Sequence, residues 1–189
     1  MKNAIIVHGK PTEERYNNPD FPKPHEANWL PWVGARLLEA GVDVSIPPMP
    51  RPFFPVYETW KEVFEMFGID TDTGLVGHSA GSEFILRWLS ENKHVSVGPV
   101  ALVAPYCDEA GKYGDFSSYD LDKRLLGRVG KLVIFNSLDD SLAIQHYAYR
   151  LAAELPQSQL IELDGFGHFM TGNNMSNPEF PELVDELLR

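Results

Sequence analysis

One cysteine, Cys107, stands among 189 residues, so no disulfide can close within the chain. A reduced, cytoplasmic setting is the expectation. No apolar run approaches the ~20 residues of a membrane span, and the opening stretch MKNAIIVHG is too short in apolar residues for a secretory signal. Basic residues are in deficit: 16 Lys and Arg stand against 27 Asp and Glu, for a formal net charge of −11. Such a chain gains no general attraction to phosphate, so neither nucleic acid nor an anionic membrane is an expected partner. Cysteine–histidine zinc spacing is missing, and neither a metal nor an organic cofactor is expected. The first glycine turn, His8-Gly9-Lys10-Pro11, is not G-x-G-x-x-G, and Pro11 has no N–H to offer a phosphate. That excludes a dinucleotide-binding reading.

What is present is an alternation. Short apolar runs at 4–9, 42–47, 74–78, 99–105, 131–137 and 159–163 have the character of strands buried on both faces. Helical patterns lie between them, at about 27–40, 56–67, 80–93, 142–155 and 179–188. This order predicts α/β architecture with right-handed crossovers, a doubly wound sheet of about six mostly parallel strands in three layers. With no repeat, linker or low-complexity tract, residues 1–189 read as one domain. Two stretches break the rhythm, 10–26 and 105–127. Both follow strands, where ligand sites form in a parallel sheet.

The chemistry gathers around Gly77-His78-Ser79-Ala80-Gly81, a G-x-S-x-G pattern between a predicted strand and a predicted helix. The turn would lift Ser79 to a helix N-terminus, where the dipole and free N–H groups favour negative charge. Serine needs a base to remove its proton, and the base needs an acid to orient it. On this architecture the partners follow in the order Ser, Asp or Glu, His. Asp139-Asp140 follows the strand at 131–137, and His168 lies on a glycine-flanked loop after the last strand. Spacing does not choose between Asp139 and Asp140. Of the other histidines, His94 falls at the end of a predicted helix and His146 inside one, His25 in the first loop and His78 inside the elbow. His8, at the end of the first strand, is a candidate for shaping the pocket.

These residues resemble the α/β-hydrolase superfamily, and within it the small serine hydrolases related to retinoblastoma-binding protein nine and its bacterial homologues. The matching segments are AIIVHG, NWLPWVGARLLEAGVDV, GLVGHSAG, VIFNSLDDSLA and DGFGHF, which run from residue 4 to 169. The resemblance implies Ser79 as nucleophile, Asp140 as acid and His168 as base. It also implies an oxyanion hole of backbone N–H groups, with Ala80 as one donor and Lys10 as the other. Ser141 departs from the pattern, standing where relatives often carry proline. The motif L-x-C-x-E is absent, because its nearest approach, residues 105–109, begins with proline. An interaction with a retinoblastoma-type pocket protein is therefore not expected.

The implied activity is hydrolysis of a small ester, thioester or amide acyl substrate, carboxylesterase-like, through an acyl-enzyme intermediate. Acyl transfer to another acceptor would use the same residues, and a non-catalytic binding protein that retains the fold is the other alternative, one that loss of any of the three would have favoured. The chain is too short for a separate cap domain. A small open pocket is expected, roofed by 105–127 and 48–54 and lined by Phe53, Phe54, Tyr106, Phe116 and Met170.

Overall fold

A computed structural model describes residues 1–172 and 174–189. The six apolar runs form β1 (Asn3–Val7), β2 (Asp43–Ser45), β3 (Thr73–His78), β4 (Val97–Val103), β5 (Val129–Ser137) and β6 (Gln159–Leu163). They pair in the order β2-β1-β3-β4-β5-β6, every pair parallel. Alternate residues of the central strands enter two different cores, as the pleat requires. Ile5, Val7, Leu75, Leu102 and Ile134 pack on one face. Ala4, Ile6, Val76, Val103 and Phe135 pack on the other.

Helices cover both faces. Near the start of the chain come α1 (Glu13–Asn17) and α2 (Leu30–Glu39), followed by α3 (Tyr57–Phe64) and α4 (Ala80–Glu91); α5 (Leu142–Glu154) and α6 (Pro181–Leu188) complete the set. The first core is closed by α3, α4 and α5, through residues such as Trp60, Phe84 and Leu151. The second is closed by α2 and α6, through Leu30, Val33 and Leu183. Trp29, Trp60, Phe64 and Phe84 have no solvent exposure, and burying each stabilises the fold by about 2–3 kcal/mol. Because β1 leads to β2 on one side and β2 crosses back to β3 on the other, the loops after β1 and β3 diverge. That divergence opens a crevice at the carboxyl ends of these two strands. No helix among the described residues is long and apolar enough to cross a membrane.

Two expectations need correction. The first helix begins at Leu30 rather than residue 27, because Asn28 takes φ 57° and breaks the helical path. Ahead of it, the 10–26 stretch holds helical structure of its own. Its helix α1 is capped by Thr12, whose hydroxyl accepts from the Arg15 N–H at 3.1 Å, and a 3-10 turn follows at Pro24–Glu26. The 105–127 stretch is not a roof over the crevice. Arg87 on α4 binds the backbone carbonyl of Asp115, and Arg128 pairs with Asp122 at 3.1 Å and binds the Leu89 carbonyl. These contacts pull the segment down against α4, where it serves as a buttress.

Glu83 is fully buried on α4, its Oε2 accepting from the Tyr147 hydroxyl at 2.5 Å while Oε1 has no partner among the described residues. Burial pushes its carboxyl up to about 7 from the usual 4.5. The unfolded chain therefore ionises Glu83 before the folded one does. Stability from this group is intact below about pH 4.5, falls as pH rises towards 7, and stays lower above it, by about 3 kcal/mol in all. Glu83→Gln should remove that decline. Melting temperatures from pH 4.5 to 8 should fall less steeply in the variant than in wild type.

Candidate active site

The elbow depends on space. A side chain at Gly77 would place its Cβ 2.5 Å from both Cα and N of Ser82. One at Gly81 would strike the Val7 carbonyl and lie 2.8 Å from the His8 carbonyl. With both positions bare, β3 passes directly into α4, and Ser79 between them is forced to φ 53°, ψ −116°. For a residue with a Cβ this is a strained conformation. The surroundings hold it: the Ser79 N–H donates to the Val103 carbonyl at 2.8 Å, and the Ser82 hydroxyl donates to the Gly77 carbonyl at 2.8 Å. The Ser79 carbonyl accepts from the N–H of Ser82 and Glu83. The N–H of Ala80, first in α4, is one of the donors that a helix start leaves without an intrahelical partner.

His168 reaches Ser79 from the opposite loop. Its Nε2 lies 2.9 Å from Ser79 Oγ, and its Nδ1 lies 2.7 Å from Asp140 Oδ2. A carboxylate only accepts, so Nδ1 carries the proton and Nε2 is left to accept from the serine hydroxyl. The loop is a sequence of backbone exceptions, with Gly165 at φ 78°, Gly167 at 52° and Phe169 at 53°. Phe169 is fully buried and stacks on Phe166 and Phe180, with centroids 5.4 and 5.3 Å apart. This anchors the residue next to the imidazole.

The two adjacent carboxylates have different tasks. Asp140 faces His168, and its other oxygen accepts from the Ser141 N–H at 2.6 Å. Asp139 turns to the backbone of the histidine loop. It accepts from the Ser137 hydroxyl at 2.5 Å, the Gly167 N–H at 2.9 Å and the Asn174 amide at 2.7 Å. Those hydrogen bonds, Ser137's foremost, hold its carboxyl down at about 2.

Two further histidines brace the site in neutral form. His78 Nε2 donates to the His168 carbonyl at 2.9 Å, and burial drives its ring down to about 3. His8 donates from Nδ1 to the Gly9 carbonyl at 2.9 Å and accepts the Met49 N–H at Nε2 at 3.0 Å. Burial lowers it to about 4. Neither is free to exchange protons near neutral pH. Each fixes backbone instead, His78 that of His168 and His8 that leading to Lys10.

In front of Ser79 and His168 is a narrow cleft with about 500 Å³ of empty space, part of it open to solvent. Its walls come from the segment after β1, with Lys10, Pro11, Tyr16 and Pro24, and from Met170 opposite. Of the residues expected to line the pocket, Met170 is there. Phe53 and Phe54 line a separate hollow that meets the cleft at Lys10, and Tyr106 lines another beside α5. Phe116 has no exposed surface and packs edge-on to Trp60, at 5.3 Å, because the buttressing segment draws it into the core. Of the cleft residues that sequence reasoning passed over, Pro11, Arg15, Tyr16, Pro22 and Pro24 lie in the proline-rich stretch after β1, and Ala27 and Asn28 lie just beyond it. Its place at the switch in strand order was the signal for them. Among the described residues no three His, Cys, Asp or Glu side chains converge as a metal site requires.

A family model described as serine hydrolase matches residues 11–185. The chain belongs to the serine hydrolase family. This serine hydrolase is 27% identical over 150 residues to the protein YdeN of Bacillus subtilis (strain 168), covering 76% of this chain and 78% of that one. Its fold matches the crystal structure of the B. subtilis ydeN gene product with a TM-score of 0.79 at 24% identity, over 100% of this chain and 97% of that one. A member of the α/β superfamily from Xanthomonas campestris matches with a TM-score of 0.62 at 16% identity, over 100% and 98% of the two chains. The architecture is that of an α/β-hydrolase.

Two substitution experiments follow from the geometry. Gly81→Ala should cost about 3 kcal/mol or more, since the new methyl meets backbone rather than a movable side chain. Gly127→Ala, where nothing lies within 4 Å, should stay within about 0.5 kcal/mol in the same chemical denaturation assay. Asp140→Asn should lower kcat by about 10⁴-fold by stranding the imidazole tautomer. Asp139→Ala, which loosens the loop without touching the ring, should cost less than about 10²-fold. Steady-state kinetics on one ester substrate would rank the two.

Proposed function

We propose that this serine hydrolase cleaves small acyl substrates, esters foremost, by two-step acyl transfer. The observation that carries the reading is the continuous hydrogen-bonded line from Ser79 Oγ through His168 to Asp140 at the floor of the cleft. His168 takes the hydroxyl proton as Ser79 attacks the carbonyl, and the carbonyl electrons move onto oxygen. Backbone N–H groups of Ala80 and Lys10 receive that oxyanion, each worth about 3–4 kcal/mol in comparable sites. The tetrahedral species collapses, the leaving group departs with the proton from His168, and the acyl group stays on Ser79. His168 then removes a proton from water, which attacks the acyl-enzyme; the acid leaves as the Ser79 Oγ–acyl bond breaks and His168 returns its proton to Oγ. Asp140 holds the tautomer and stabilises the imidazolium throughout.

Esters come before amides because an alcohol leaves with less help from the general acid than an amine does. A narrow, largely apolar cleft supports a short acyl group. The strain at Ser79 supports the same reading, since strained backbone concentrates at reacting residues and this one presents Oγ towards the imidazole.

A fluorophosphonate probe should label the wild-type protein at Ser79, and Ser79→Ala and His168→Ala should not be labelled. Hydrolysis of p-nitrophenyl acetate and butyrate should fall by about 10⁴-fold or more in both variants. A folded wild-type protein that neither labels nor turns over any ester would overturn the proposal.

A further inference from the structure

The chain is acidic overall, yet the cations around the cleft are left without acidic partners. Lys10 and Arg15 line the cleft itself, and Lys10, Arg51 and Lys112 line the hollow that adjoins it. Among the described residues none of these four takes part in an ion pair, nor do Lys23, Lys61, Lys93 and Arg124, whereas Lys2, Arg36, Arg87, Lys123, Arg128, Lys131, Arg150 and Arg189 all do; what sets the four apart is that they gather at one cleft and its adjoining hollow. With 27 acidic side chains against 16 basic ones, partners are not scarce.

The four are seated on aromatic rings. Lys10 Nζ lies 4.7 Å from the centroid of Tyr113, and Lys112 Nζ lies 5.6 Å from the same ring. The Arg15 guanidinium lies 4.5 Å from Phe21, and that of Arg51 5.6 Å from Phe54. An aromatic face positions a cation without cancelling its charge, which a carboxylate would do. Among the described residues Glu13 is the one acid lining either hollow, and it belongs to the outer one. The cleft that holds Ser79 and His168 is lined, among the described residues, by two cations and no acid. Positive charge focused in a cleft raises the local concentration of anions even when the net charge of the protein is negative.

We propose that this rim selects substrates bearing a compact anionic group, a carboxylate or a phosphate, which Lys10 and Arg15 receive while the scissile carbonyl sits at Ser79. The Arg15 fork suits either anion, since both present paired oxygens. The inference rests on the hydrolase reading above for its catalytic part, but the anion site itself can be tested without turnover.

Three esters of similar length serve as probes: ethyl pentanoate, monoethyl glutarate and 2-acetoxyethyl phosphate. Wild-type kcat/KM in low-salt buffer should be at least tenfold higher for one or both anionic esters than for ethyl pentanoate, and the pair tells carboxylate from phosphate. The preference should shrink at least threefold in 0.5 M NaCl and collapse in Arg15→Gln. Calorimetry with Ser79→Ala should show the same order in Kd, and the same loss when Arg15→Gln is added. Equal kcat/KM and equal Kd for neutral and anionic esters, or a preference indifferent to both salt and Arg15→Gln, would overturn the inference and leave the hydrolase reading standing. Salt-sensitive, Arg15-dependent binding to Ser79→Ala, with no ester hydrolysis by wild type, would uphold the anion site and sink the hydrolase reading instead.

Discussion

The lack of room between the end of β1 and the start of α4 governs the rest of the site. The carbonyls of Val7 and His8 press so closely on Gly81, and Ser82 on Gly77, that the chain can turn there only with bare backbone at both positions. Gly9 adds to the crowding, since a Cβ there would lie 3.1 Å from both His78 Nδ1 and Ser79 Cβ. Ser79, between the two bare positions, takes up the strain with a positive φ. The strain persists because α4 is buried from Ala80 to Ser90 and cannot shift to relieve it.

Around that turn the molecule separates reactivity from support. Ser79, His168 and Asp140 form one continuous hydrogen-bonded line. Asp139, His78 and His8 carry similar functional groups but spend them on backbone: the Gly167 N–H, the His168 carbonyl, and the Gly9 carbonyl with the Met49 N–H. Burial keeps both supporting histidines neutral, so their hydrogen bonds do not change sign across the pH range in which a serine–histidine pair works.

The two irregular stretches of the chain take opposite parts. The segment after β1 folds into α1 and a proline-bearing turn, walls the cleft and brings Lys10 and Arg15 to it. The segment after β4 is drawn onto α4 by Arg87 and Arg128 and contributes to the core, Phe116 included. Both are polar loops at the carboxyl edge of the same sheet, and what separates them is the position of their strands. β1 borders the switch in strand order, whereas β4 lies beyond β3 between neighbours that wind in one direction.

Much of this was legible in the chain as written. Apolar runs of five to seven residues could become only strands buried on both faces, and their alternation with amphipathic segments dictated a parallel, doubly wound sheet. The order Ser79, Asp139-Asp140, His168 put the polar candidates on loops at one edge, because every strand of a parallel sheet ends at that edge. Three-dimensional packing decided the rest. Asp139 and Asp140 are chemically identical neighbours, and only the direction of each side chain after β5 sends one to the imidazole and the other to the Gly167 N–H. Phe53, Phe54, Tyr106 and Phe116 are equally aromatic in the sequence, and only the packing shows that Phe116 lies in the core against Trp60, in a segment tied down by Arg87 and Arg128. The unpaired state of Lys10 and Arg15 is likewise a property of folding. Composition counts charges, but which of them find a partner depends on distances that arise only once distant segments have packed together.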